Sequence, residues 1–221
     1  MFNNIAGNYD LLNHLLSLGI DRGWRRKLVS EMAKHNPLCI LDLATGTADL
    51  AIAAAKIHPE SIIGTDIAEE MLAIGRKKVE KLGLADIITL QMADSENLPF
   101  NDDRFDAAMV AYGVRNYENL VMGLSEMCRV LKPGSYAYIL EFSKPKTFPV
   151  KQIYQAYFSL VLPLIGRLIS KDKSAYTYLP ESVEVCPQDD AFVRIMLEAG
   201  FSTANYQRLS FGITNLYIGE K

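Results

Sequence analysis

One stretch constrains this chain more than any other: Leu38-Cys39-Ile40-Leu41-Asp42-Leu43-Ala44-Thr45-Gly46-Thr47-Ala48-Asp49, followed by Leu50-Ala51-Ile52-Ala53-Ala54-Ala55. The apolar run with a β-branched member reads as a strand, the small residues after it as a tight turn, and the alanine-rich run as a helix. At such a turn the N–H groups of the helix start face an anionic or polar ligand, and Gly46 permits a backbone approach that a Cβ would obstruct. The next apolar run, Ser61-Ile62-Ile63-Gly64-Thr65, ends in Asp66, 20 residues after Gly46. An acid at that strand tip can accept both hydroxyls of a ribose. The unit is built to hold a nucleoside.

The glycine count separates two kinds of nucleoside site. A dinucleotide site presents G-x-G-x-x-G around a pyrophosphate. Here Gly46 is flanked by Thr45 and Thr47, and Ala48 stands where a second glycine would fall. Pyrophosphate is therefore the weaker expectation, while Asp42 at the strand end suits a cationic or amine-bearing ligand. An ordinary strand-to-helix turn without a ligand is the alternative that this stretch alone leaves open. The acid, three residues and the glycine resemble the first motif of the class I methyltransferases that use S-adenosylmethionine, with a departure at Ala48. The resemblance implies that cofactor. It also implies an α/β fold, a seven-stranded Rossmann-like class I methyltransferase sandwich whose mostly parallel sheet ends in an antiparallel C-terminal hairpin.

Composition narrows the classes further. With 221 residues, 49% hydrophobic and 22% charged, the chain fits a single α/β domain spanning 1–221, and no repeat or low-complexity segment intervenes. A net charge of −3 without a dense Lys/Arg block argues against a nucleic-acid partner. Cys39, Cys128 and Cys186 are far apart, odd in number and without C-x-x-C spacing, so Cys39 in a strand and Cys128 on a helix read as core residues and the compartment as cytoplasmic and reducing. No metal site is expected. The start, Met1-Phe2-Asn3-Asn4, lacks the basic and apolar regions of a signal peptide.

In chain order, residues 1–36 read as a helical lid. Leu11, Leu12, Leu15 and Leu16 lie at helical spacing up to Gly19, and Asp21 is expected to cap a second helix through Trp24, Leu28 and Met32. His14 reads as a packing or surface residue. Helix Glu69 to Val79 is acidic in its first turn and basic in its last. Strand Ile87 to Gln91 delivers Asp94 and Ser95 to the same sheet edge as Asp66. For Asp94 alone, capping of the following turn is an equal reading. Strand Ala107 to Ala111 then leads into Tyr112-Gly113-Val114-Arg115-Asn116. An arginine directly after a buried strand, between Gly and Asn, belongs to a loop at the ligand edge, where the alternative role is an ion pair with Asp42 or Asp10. Helix Asn119 to Leu131 is followed by the stop Lys132-Pro133-Gly134 and a strand from Ser135 to Phe142. A helical insertion on the substrate side is expected over 144–185. Its run from Tyr154 to Gly166 is too short for a bilayer span and is interrupted by Pro163. A helix from Asp189 to Ala199 and strands around Tyr206 and Tyr217 complete the sheet.

Several stretches carry a closer resemblance. Phe2-x-x-Ile5-Ala6-x-x-Tyr9-Asp10-x-x-Asn13, Leu18-Gly19-Ile20-x-x-x-Trp24-Arg25-Arg26, the Tyr112 to Asn116 run, Glu141-Phe142-Ser143-Lys144-Pro145, and Tyr176-x-Tyr178-Leu179-x-x-Ser182 are similar to the quinone-biosynthesis C-methyltransferases. Those enzymes act on demethylmenaquinol and on the ubiquinone precursor. The resemblance implies C-methylation of a prenylated hydroquinone, most directly demethylmenaquinol. It implies cofactor contacts from Asp42, Thr45, Gly46, Thr47, Asp66, Asp94, Ser95 and Ala111. Arg115 would stabilise a developing phenolate, with Tyr9 and Asn116 as orienting groups and Asp10 as proton acceptor. The apolar Tyr154 to Gly166 run would give the isoprenoid tail a greasy mouth and peripheral contact with the inner face of a membrane, although core burial is the commoner fate of such a helix. A homodimer is compatible with all of this. The rival functions are methylation of a benzoquinol, methylation of a soluble small molecule, a non-catalytic nucleoside-binding module and, more distantly, a dehydrogenase.

Overall fold

The computed structural model describes residues 19–157 and 182–221. The order is α1 (Asp21–Met32), β1 (Cys39–Leu43), α2 (Asp49–Ala54), β2 (Ser61–Asp66), α3 (Glu69–Lys81), β3 (Ile88–Met92), β4 (Phe105–Ala111), α4 (Leu120–Val130), β5 (Leu131–Phe142), α5 (Val150–Ala156), α6 (Asp190–Glu198), β6 (Thr203–Leu209) and β7 (Thr214–Glu220). The seven strands form one sheet in the order β3-β2-β1-β4-β5-β7-β6. The pairs β2–β3, β1–β2, β1–β4 and β4–β5 are parallel, whereas β7 runs antiparallel to both β5 and β6. The expected α/β sandwich and its C-terminal hairpin are therefore present.

Both faces of the sheet are covered, so the central strands are apolar almost throughout rather than alternating. Ile40, Ala107, Met109, Tyr138 and Leu140 pack on one side against Trp24, Leu28 and Met32 of α1 and Ala51 and Ala54 of α2. Leu41, Leu43, Val110, Ala137 and Ile139 pack on the other against Leu124 and Met127 of α4 and Phe192 and Met196 of α6. Trp24 is buried, and its indole N–H donates to Ser210 Oγ at 2.8 Å, so α1 is pinned to the sheet. Residues 1–18, with the leucine run, Tyr9, Asp10 and His14, lie outside the described residues. So does 158–181, with most of the expected greasy helix and the Tyr176 to Leu179 signature.

Two local expectations change. Asp21 is not a cap: Ile20 holds the N-cap position, and Asp21, inside the first turn, bonds Arg25 one turn on at 2.5 Å. The Lys132-Pro133-Gly134 stop ends α4, but β5 already begins at Leu131, with a register shift between Phe105 and Ala107 that absorbs the extra residues against β4. The chain leaves the sheet after β5 and returns before α6 through a stapled junction. Gln188 Oε1 accepts from Lys144 N at 3.0 Å and Ser143 Oγ at 3.3 Å, and Lys146 Nζ lies 2.6 Å from Asp189 Oδ2. Asp189 takes a left-handed φ of 55°, accepts from Asn215 Nδ2 at 2.9 Å and pairs with Arg208. Burial works against its charge, yet Lys146, Arg208 and Asn215 together hold its carboxyl below the usual carboxylate range.

Candidate functional site

The parallel strands deliver their carboxyl ends to one edge, where open α/β sheets bind ligands, and a cavity of about 270 Å³ opens there. The loop after β1 forms its floor by turning through three left-handed residues, Ala44 (φ 48°), Gly46 (φ 56°) and Ala48 (φ 68°). Glycine adopts that conformation freely, while each alanine costs roughly 1–2 kcal/mol and persists because its surroundings enforce it. Ala48 is fully buried at the start of α2 and packs toward Gly75 of α3, where an added Cβ would sit 3.3 Å from the Ala48 methyl and 2.8 Å from Leu90. Ala48 therefore takes the place of the missing glycine without opening the loop.

Asp66 holds this loop in place. Its Oδ2 accepts from Gly46 N at 2.8 Å and its Oδ1 from Ala68 N at 2.9 Å, while the residue lines the cavity. Burial raises its carboxyl, and the N–H groups of Ala68, Gly46 and Ile67 partly offset that. Asp94 lines the same cavity, and its Oδ1 accepts from Glu96 N at 2.9 Å, the turn-capping contact. Ser95 is buried beside it. Glu96 in turn accepts from the backbone N–H groups of Glu118 at 2.6 Å and Asn119 at 3.1 Å, which fastens the third loop to the fourth. Gly46, Asp66, Asp94, Ser95, Ala111 and Asn116 are thus brought together around one cavity.

Asp42, Thr45 and Thr47, grouped with them in the sequence, sit behind the loop and do not line it. Thr45 Oγ1 donates to Asp42 Oδ2 at 2.6 Å, and Thr47 Oγ1 accepts from Lys78 Nζ at 2.8 Å. Asp42 is 1% exposed and its Oδ1 has no hydrogen bond of good geometry. Burial drives its carboxyl up to about 7, against the opposing pull of Thr45, the Ala51 N–H and Arg25.

The donor set indicates what fits. Asp66, Asp94, Glu96 and Glu118 supply carboxylates, and among the described residues no Lys, Arg or His lines the cavity. A phosphate-bearing ligand would meet repulsion there, whereas a cationic nucleoside with a diol and an exocyclic amine would meet acceptors. S-adenosylmethionine matches that pattern. Tyr112, the first residue of the Tyr112 to Asn116 run, also lines the cavity, as do Tyr117 and Glu118, which sequence reasoning missed because nothing in the local pattern marks them before the loop is folded. Burial raises both phenols, so they remain protonated.

A second cavity of about 400 Å³ shares Tyr117 and Glu118 with the first. Arg115 lines it with Val114, Leu120, Val185, Cys186 and Pro187. Arg115 and Asn116 face different cavities because Val114–Asn116 is a 3₁₀ turn, which rotates successive side chains by about 120°. The guanidinium is 8% exposed, and its Nη1 lies 2.9 Å from Glu141 Oε1. The same nitrogen donates to the Tyr112 carbonyl, and the group stands 5.6 Å over the Phe142 ring. Among the described residues the carboxylate paired with Arg115 is Glu141, not Asp42, and Asp10, the other expected partner, lies outside them. Parallel pairing of β4 and β5 brings the ends of the two strands together across 26 residues of sequence. Burial pushes the Cys186 thiol up to about 12, so it stays protonated beside the pair.

Comparison with known proteins agrees with this geometry. The sequence model described as the ubiE/COQ5 methyltransferase family matches residues 1–221. The chain is 49% identical over 222 residues to the demethylmenaquinone methyltransferase of Bacteroides fragilis strain YCH46, covering 100% of this chain and 91% of that protein. It is 46% identical over 223 residues to the ubiquinone/menaquinone biosynthesis C-methyltransferase UbiE of Geobacter sulfurreducens, covering 100% of this chain and 87% of that one. Among solved structures, a SAM-dependent methyltransferase from Aquifex aeolicus superposes with a TM-score of 0.62 at 18% identity, covering 87% of this chain and 89% of that one, a likeness of fold.

Proposed function

The chain belongs to the ubiE/COQ5 methyltransferase family, and from that premise we propose that it C-methylates the ring of demethylmenaquinol, with S-adenosylmethionine as donor, in menaquinone biosynthesis. The observation that carries the reading is the pair of adjoining cavities: one lined by acids, the other largely apolar with a guanidinium in its wall.

When bound, the cofactor supplies a methyl group already activated on its sulfonium. The chain's own residues do the rest. Asp66 would accept the ribose hydroxyls, Asp94 and Ser95 would meet the adenine edge, and the backbone at Gly46 and Ala111 would hold the remainder. Alignment of donor and acceptor where the two cavities adjoin would raise their effective concentration. The acceptor carbon becomes nucleophilic as a ring hydroxyl loses its proton, and Arg115, always protonated, stabilises the phenolate. Tyr9 orients the ring and Asp10 receives the proton, two roles that rest on the family resemblance; Asn116, expected as a second orienting group, lines the acid-lined cavity and would act from the cofactor side.

The isoprenoid tail calls for an apolar approach. Phe148, Ile153, Val185 and Phe211 are exposed around the ends of the 144–185 insertion, which supports peripheral contact with a bilayer. Among the described residues no helix is long and apolar enough to cross a membrane. A homodimer belongs to the reading, and sedimentation of the full chain tests it. A second substrate, the benzoquinol precursor of ubiquinone, is favoured by the double name of the Geobacter relative.

Incubation with labelled cofactor and each reduced quinone, followed by mass spectrometry, tests the proposal. Label on the naphthoquinol ring is expected, and Arg115→Ala should lower turnover by about 10²–10³-fold with cofactor affinity unchanged. Methylation of neither ring would refute the substrate assignment. Normal turnover in Arg115→Ala would remove the guanidinium from the chemistry.

A further inference from the structure

We infer that Glu141 is the positioning residue for Arg115, a role that rests on the reading of Arg115 given above. Glu141 continues the row of Ala137 and Ile139 along β5, a row that otherwise faces core, and it is 2% exposed. An apolar residue would fill such a position, and burying an ion pair there is not a general route to stability. What the carboxylate does at this place is grip one residue at two points. Oε1 accepts from Arg115 Nη1 at 2.9 Å and from Phe142 N at 2.9 Å, while Oε2 faces the Arg115 backbone N–H at 3.4 Å.

Among the described residues two further contacts add to the mount. Tyr112 adopts a left-handed φ of 61°, uncommon for an aromatic residue, and its carbonyl meets the same Nη1. Its ring stacks on Phe142 with centroids 4.3 Å apart, and Phe142 in turn carries the guanidinium over its face. Carboxylate, carbonyl and ring therefore define one direction for the guanidinium at the wall of the second cavity. A long arginine left to its rotamers would sample many. Backbone strain at Tyr112 together with a buried acid at Glu141 is what a preorganised charge requires.

The test compares Glu141→Gln, Arg115→Ala and the double variant in the full chain, measuring kcat, quinol KM, cofactor Kd and melting temperature. Glu141→Gln keeps the shape and removes the charge. It should lower kcat on the order of 10²-fold, the scale of a misplaced reacting group, with KM and cofactor Kd nearly constant. In the Arg115→Ala background the same change should cost no further turnover, because the two act as one unit. It should also recover melting temperature, because no uncompensated carboxylate is left buried. Should Glu141→Gln fail to fold, Glu141→Asp retains the charge, withdraws the oxygens by one methylene and should show the same fall in kcat. Unchanged kcat in the folded Glu141 variant beside an inactive Arg115→Ala would overturn the role of Glu141 alone. Independent, multiplying losses would overturn it as well, by marking Glu141 as merely structural. Full turnover in Arg115→Ala would overturn the underlying reading instead.

Discussion

Asp42 carries a pH signature that can be worked out from its surroundings. Burial under the loop after β1 lifts its folded-state carboxyl from 3.8 to about 7. The folded protein therefore holds that proton more tightly than the unfolded chain does. Below about pH 4 both states are protonated and the group's stabilising contribution is fully present. As pH climbs, the unfolded chain ionises first and stability falls by about 1.4 kcal/mol per pH unit, until the folded carboxyl also ionises near 7. Over the window of roughly three units the loss is about 4 kcal/mol, a large share of an ordinary folding free energy. Asp42→Asn keeps the acceptor for Thr45 Oγ1 and removes the titration. Urea unfolding of both proteins at pH 5, 6, 7 and 8 should give a stability difference that moves in favour of the variant through pH 7 and then levels off. Parallel stability profiles across that range would refute the burial argument for Asp42.

Two other perturbations test the cofactor side. Gly113→Ala would place a Cβ 2.6 Å from the Ala44 methyl, whose position the backbone fixes, and 3.0 Å from Val110 Cγ2. It should destabilise by about 1–3 kcal/mol and lower the melting temperature by roughly 2–4 °C for each kcal/mol, read by calorimetry. Asp66→Asn turns one oxygen into a donor facing an N–H group and removes an acceptor from the diol. Cofactor affinity by titration calorimetry should weaken about tenfold to a hundredfold, and an unchanged Kd would detach Asp66 from the ribose.

The frame of this protein was legible because apolar runs and their terminal acids recur with parallel-sheet spacing. Asp66, Asp94 and Asn116 could be placed at one edge from that pattern alone. Thr45 and Thr47 could not be sorted, because a hydroxyl in a turn points toward ligand or scaffold according to backbone angles that composition does not encode. The left-handed alanines at 44 and 48 belong to the same blind spot, as does Tyr112. Glu141 escaped because its importance depends on which strand lies beside β4. Only the observed pairing of β4 with β5 makes the end of β5 the neighbour of Arg115. The insertion's described ends, by contrast, carry exposed Phe148 and Val185, which periodicity does not distinguish from core.

The junction between β5 and α6 has a practical corollary. With Lys146 and Asp189 in contact, the chain departs and re-enters at a single point, so whatever lies between them sees a constant boundary condition. That makes the intervening stretch a cassette. Chimeras that exchange it between relatives at these two residues, with the sheet untouched, would test whether about forty residues carry the tail contact proposed above.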